Sequence, residues 1–116
     1  MDEGKRYHVI ITESAQNRFW SIILPYLKRN FTRERAKTIG VLIMQEVESL
    51  SRLTFRGTVE YRLFKKKGLE FRHILFRQTR HFELKIIYYV DESAYKVYIV
   101  DFFPTAMHPS RLSKDK

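Results

Sequence analysis

The sequence predicts an α+β domain in which a helical hairpin packs on one face of a curved, mainly antiparallel sheet. Three observations lead there. A β-branched and aromatic run, RYHVIIT, spans residues 6–12. Two stretches of helical periodicity follow. Three runs of strand character, EFRHILFR, FELKIIYYVDE and YKVYIVDFF, then succeed one another at short intervals. The element order β-α-α-β-β-β puts helices and antiparallel strands in separate layers.

The opening strand runs to Thr12, and Thr12 or Ser14 caps the first helix, whose first turn carries Glu13 against the positive end of the dipole. Ala15, Phe19, Ile22, Ile23, Tyr26 and Leu27 recur at three- and four-residue spacings and form its expected core stripe. Pro25 lacks an amide hydrogen and crowds the carbonyl four residues back, so a kink or break is expected near residues 21–24. Thr32 caps a second helix with Ala36, Ile39, Ile43, Val47 and Leu50 facing inward and Leu42 and Met44 beside them. Gly40, unfavourable inside a helix, is expected to allow close contact with the first helix. The connection is so short that the helices must fold back antiparallel.

Residues 54–69, TFRGTVEYRLFKKKGL, are the least regular, with Tyr61–Phe64 as a short turn or edge strand. Strands are then expected over 70–77, 82–90 and 95–103, joined by turns at 78–81 and 91–94. On the middle strand Lys85, Ile87 and Tyr89 share one face, and Tyr88 points to the core. Pro104 and Pro109 are expected to end regular structure.

With 116 residues, 44% of them hydrophobic and 15% aromatic, the chain has enough material for one packed core. One domain over 1–116 is expected, with 1–5 and 110–116 loose. The start, MDEGKRYHVIIT, is acidic at once and has only a short apolar run, unlike a secretory signal, and no run approaches the roughly 18 residues of a membrane span. The chain has no cysteine, which removes disulfides and thiolate metal sites and favours a cytoplasmic protein. Net charge is +9. Between Arg52 and Lys85 stand ten cations and only three anions, Glu60, Glu70 and Glu83, so a surplus of seven falls in one third of the chain. A basic field this concentrated attracts a polyanion, either nucleic acid or an acidic protein segment.

The strand strings YHVIITESA, FRHILF, LKIIYYVDE and VYIVDFF, with a helical hairpin after the first and a basic loop before the second, resemble the RelE/ParE superfamily of bacterial toxins. These belong to type II toxin–antitoxin modules of the plasmid-stabilisation type. The resemblance covers almost the whole chain, and F-R-x-I-L, I-x-Y-x-V-D and V-Y-I-V-D carry most of it. It implies a cytoplasmic, growth-inhibiting protein neutralised by an acidic antitoxin, with a functional groove on the sheet face away from the helices. The implied target is either ribosome-bound mRNA, cut by an endonuclease of the RelE kind, or DNA gyrase, poisoned as by ParE. A non-toxic basic module binding RNA or DNA on the same scaffold is the alternative. Two positions depart from the family pattern. Thr54-Phe55-Arg56-Gly57 lacks the proline common in that turn, and Ala106 stands where many relatives carry an arginine.

RNA cleavage through the ribose 2′-hydroxyl needs a base, an acid and cations on the phosphate. Under the resemblance Arg72 matches the F/Y-R strand position, Lys85 matches a middle-strand position often occupied by arginine, and His108 lies in the tail bordering the groove. These three are the candidate catalytic residues. Arg72 serves either a phosphate or an ion pair with a neighbour such as Glu83; Lys85 serves either a phosphate or solvent. His73 and His81 are further candidate neutral-pH bases, with His8 on the first strand. Lys65, Lys66, Lys67, Arg77, Arg80 and Arg111 are the candidate nucleic-acid contacts, the triplet alternatively being a solvated loop. No histidine pair has metal-ligand spacing and there is no glycine-rich phosphate loop, so neither metal nor cofactor is expected.

Overall fold

The computed structural model describes residues 6–60, 70–79 and 82–107. Strand β1 (His8–Ile11) leads into a continuous helical arm made of α1 (Glu13–Arg18), a π-helical turn (Phe19–Ile23) and α2 (Leu24–Asn30). Helix α3 (Arg33–Ser49) returns against it. Then come β2 (Thr58–Val59), β3 (Phe71–Thr79), β4 (Phe82–Asp91), a 3₁₀ turn (Glu92–Ala94) and β5 (Lys96–Met107). The five strands form one sheet in the order β1-β5-β4-β3-β2. All pairs are antiparallel except β1 with β5, which are parallel. The expected architecture is present, with β2 as an additional edge strand. The turn or edge strand expected at Tyr61–Phe64 lies outside the described residues.

Thr12 joins the first two elements. Its hydroxyl accepts the Ala15 N–H as the α1 cap and donates to the Ile99 carbonyl of β5. The break expected ahead of Pro25 takes the form of one wide turn. The Leu24 N–H reaches the Phe19 carbonyl, five residues back, and Pro25 sits in the first turn of α2 where a missing amide hydrogen costs little. That turn also corrects the expected stripe. Ala15, Phe19, Ile23, Tyr26 and Leu27 are buried, but Ile22 is exposed, because a π turn advances fewer degrees per residue and rotates it off the core. Thr32 caps α3 through the Arg35 N–H, and its buried face is the expected Ala36, Ile39, Ile43 and Val47, followed by Leu50.

These helix residues pack on one sheet face made by Ile74 and Phe76 of β3, Phe82, Leu84, Ile86 and Tyr88 of β4, and Val97, Ile99 and Phe102 of β5. Ile99 and Phe102 are three residues apart, so simple alternation would put them on opposite faces. A bulge opposite Ile87/Tyr88 adds Val100 to β5 and turns both inward. A second bulge adds Thr105 opposite Glu83/Leu84, and here the expectation for Pro104 is overturned: β5 runs through it to Met107. Pro104 can sit in a strand because it adjoins this bulge and because β1 pairs with β5 only as far as Ile99. Pro109 lies outside the described residues.

Gly40 is not required for close approach. A Cβ built there meets only Leu24 Cδ2, at 4.0 Å, an ordinary contact. Gly40→Ala is therefore expected to raise stability by about 0.5–1 kcal/mol in urea unfolding, from backbone entropy and helix propensity.

Tyr88 is fully buried, as expected, and ties the segment between α3 and β2 to the sheet. Its hydroxyl donates to the Thr54 carbonyl at 2.9 Å and accepts the Gly57 N–H at 3.0 Å. Burial pushes the phenol above its ordinary value, with the Gly57 hydrogen bond opposing. Tyr88→Phe leaves both backbone groups without this partner and is expected to cost about 2 kcal/mol. Because the folded-state pKa is raised, this contribution is complete below the ordinary tyrosine value of about 10. It declines as pH climbs through the raised value. Urea midpoints of the two proteins between pH 8 and 11 check both statements.

Candidate functional site

Strand register decides which candidates can meet. Arg72 lies opposite Tyr88 and shares the helix-packed face, whereas Lys85 lies opposite Leu75 on the other face. The two expected partners therefore stand on opposite sides of the sheet. Arg72 binds the Glu70 carboxylate at 2.7 Å, donates to the Gly57 carbonyl at 2.8 Å and lies over the Phe55 ring. It holds the 55–57 turn against β3. The ion pair expected with Glu83 is formed by Arg77 instead, at 3.2 Å. The Thr105 hydroxyl and Arg77 hold the Glu83 carboxyl below its usual range.

On the face away from the helices, three side chains converge. Lys85 Nζ donates to Glu60 Oε1 at 2.9 Å, and His73 Nδ1 lies 2.9 Å from the same oxygen, out of line for a hydrogen bond. The group is largely enclosed: the side chains are 7% exposed for Glu60, 15% for His73 and 16% for Lys85. Each arrives from a different strand segment. Thr58 pairs with His73, and the Glu60 N–H bonds the Phe71 carbonyl, which aims Glu60 along the face of β3. His73 lies opposite Ile87, and Lys85 is two residues away on β4, on the same face. Lys85, Ile87 and Tyr89 share this face as expected. Phe71, Tyr89 and Tyr98 form an aromatic row beside the cluster, with the two tyrosine rings stacked at 5.1 Å. Arg77, 67% exposed, lies on the same face farther along β3.

The three anions of the basic window thus each meet one candidate cation: Glu60 with Lys85, Glu70 with Arg72, and Glu83 with Arg77. The expectation of Lys85 as a solvated cation is corrected accordingly, since a lysine this enclosed needs a carboxylate partner. The charge surplus therefore falls on the other cations of the window. Of these Lys65, Lys66, Lys67 and Arg80 lie outside the described residues, as do His81, His108 and Arg111. Ala106 of β5 pairs with Glu83 of β4. His8 is exposed on β1. Glu60 is the functional candidate that the sequence reading passed over. Its signal was faint: a lone acid just ahead of the cationic loop.

Chemically, the cluster offers an imidazole, a carboxylate against its Nδ1, and an ammonium within one side-chain length. That is a set able to move a proton and to stabilise charge on a phosphate. No helix among the described residues is long and apolar enough to cross a membrane.

Against known proteins, no protein-family model matches the chain, and no curated protein matches it in sequence. Among solved structures it is similar to a chain of the toxin–antitoxin complex RelBE2 from Mycobacterium tuberculosis. The TM-score is 0.51 and the identity 16%, over 91% of this chain and 99% of that one. At so low an identity the likeness is one of backbone architecture, here a helical hairpin on a five-stranded mixed sheet. This chain shares the fold of that chain of the RelBE2 complex.

Proposed function

We propose that this chain is the toxin of a type II toxin–antitoxin module, acting in the cytoplasm as one domain over 1–116, and that it cleaves ribosome-bound mRNA. The observation that carries the first part is the fold likeness to a chain of a toxin–antitoxin complex over nearly the full length of both. The observation that favours RNA cleavage over gyrase poisoning is the Glu60–His73–Lys85 cluster, since a poison that works by binding needs no proton-transfer set. In this reading Lys85 faces the scissile phosphate, Arg77, Arg80 and the Lys65–Lys67 triplet contact the RNA backbone with Arg111, and His108 is a further catalytic candidate.

The antitoxin in this reading is acidic and carries an apolar segment. The helical arm and α3 leave a groove of about 670 Å³ walled by Phe19, Trp20, Leu24, Val41, Met44 and Phe102. Trp20, the only tryptophan in the sequence, is 65% exposed at its rim. An antitoxin seated there shifts Trp20 fluorescence to shorter wavelength, while the basic surface takes the acidic part.

Expression of the chain alone in a bacterium should arrest growth, with relief from a short acidic protein encoded next to it. Primer extension on cellular mRNA should then show codon-associated cuts. Arrest with accumulated gyrase–DNA cleavage complexes and intact mRNA would replace the ribonuclease reading by the ParE-like one. Nucleic-acid binding with a steep salt dependence and no arrest would favour the non-toxic module.

A further inference from the structure

Within the ribonuclease reading, on which this inference rests, we infer that His73 is the general base, oriented by Glu60, and that Lys85 serves the phosphate and the leaving group. The Glu60 oxygen touches His73 at Nδ1, and that nitrogen is fully buried. The exposure His73 retains therefore lies on the rest of its side chain. A carboxylate at Nδ1 keeps the proton on that nitrogen and presents Nε2 as the acceptor, the logic by which a buried acid sets an imidazole tautomer in a catalytic triad. The contact is bent in the free protein, as catalytic hydrogen bonds often are before substrate closes the site.

Lys85 shares the same carboxylate oxygen, so one acid positions both the base and the cation. Arg77 and Glu83 on the same face are engaged with one another and Tyr89 and Tyr98 stack as a row, so the three-residue cluster is the described group on this face that gathers an imidazole and an ammonium at one carboxylate oxygen.

The step balances without a cofactor. His73 Nε2 takes the proton of the ribose 2′-hydroxyl as the 2′-oxygen bonds to phosphorus. The bond from phosphorus to the 5′-oxygen breaks, and that oxygen takes a proton from the Lys85 ammonium. The imidazolium then returns its proton to solvent and the lysine regains one. The products are a 2′,3′-cyclic phosphate and a 5′-hydroxyl end, and no water is consumed.

The test uses the purified full chain on programmed ribosomes. His73→Gln is expected to slow cleavage by about 10²–10⁴-fold, the usual worth of a positioned base. Free imidazole should restore part of the rate to His73→Gly. Glu60→Gln, a change in a positioning residue, should lower kcat with little change in KM. ¹⁵N spectra of the wild-type protein should show the His73 proton on Nδ1, and Glu60→Gln should redistribute it to both nitrogens. A folded His73→Gln protein that cleaves at the wild-type rate overturns the inference and leaves the ribonuclease reading intact. So does a wild-type spectrum with the proton on Nε2, which requires no variant to fold. Wild-type protein that arrests growth yet cuts no RNA overturns the ribonuclease reading itself.

Discussion

Lys85→Ala is expected to lower folding stability by about 3 kcal/mol at neutral pH, measured as the change in urea unfolding free energy. The reason is the carboxylate it would leave behind. Glu60 is more deeply enclosed than Lys85, and their 2.9 Å contact neutralises a charge that has little access to water. Removing one partner of a buried pair typically costs about 3–5 kcal/mol. The lower end applies here because the His73 ring still stands 2.9 Å from the same oxygen. The same logic makes the double variant Glu60→Gln with Lys85→Met much less costly, within about 1 kcal/mol of the parent, since no buried charge remains. If Lys85→Ala unfolds like the parent, the pair is solvated and the cluster is not the enclosed site described above. A practical consequence follows for function: loss of toxicity in Lys85→Ala alone mixes folding with chemistry, and the double variant separates them.

Gly57→Ala is expected to cost about 3 kcal/mol, for a reason unrelated to backbone freedom. A Cβ at this position would stand 2.5 Å from the Tyr88 hydroxyl and 2.8 Å from the His73 carbonyl oxygen. The first neighbour is held at both ends, by Thr54 and by Gly57 itself, and the second is backbone in a paired strand. Neither can move cheaply. The methyl must break the Gly57–Tyr88 hydrogen bond or push β2 away from β3, and overpacking of this kind costs about 1–3 kcal/mol before the lost bond is added. The 55–57 turn also receives Arg72 through the Gly57 carbonyl. The substitution should therefore loosen the path into β2 and with it the placement of Glu60. Hydrogen exchange at the Glu60 and Gly57 amides reports this directly, with faster exchange expected in the variant. An unchanged urea midpoint with unchanged exchange would show that the turn tolerates a side chain.

The large effects at Gly57 and at the Glu60 carboxylate that Lys85 neutralises are not legible in the sequence. In the sequence Gly57 stands in a turn of an irregular stretch, and Glu60 is one of three anions in a basic window. Local signals could say no more. A glycine needed for close approach looks in sequence like a glycine needed for a turn. A buried acid looks like an exposed one until its neighbours across the sheet are known. The helical hairpin was legible almost residue by residue, because its caps at Thr12 and Thr32 and its apolar spacing are local properties. The exception, Ile22, sits within the π turn ahead of Pro25, where the period itself changes.

By itself, the sequence determined the element order, the caps, the core-facing stripe of α3, the shared face of Lys85 and Tyr89, and the concentration of positive charge. All of these follow from periodicity or composition along the chain. Tertiary structure alone decided which strand residues stand opposite one another, since pairing register is a property of two segments at once. The bulges at Val100 and Thr105 turned Phe102 inward and carried β5 past Pro104. Register sent Arg72 to the helix side and Lys85 to the other, so the pair expected to work together does not meet. The same register brought Glu60, His73 and Lys85 to one oxygen across three successive strand segments.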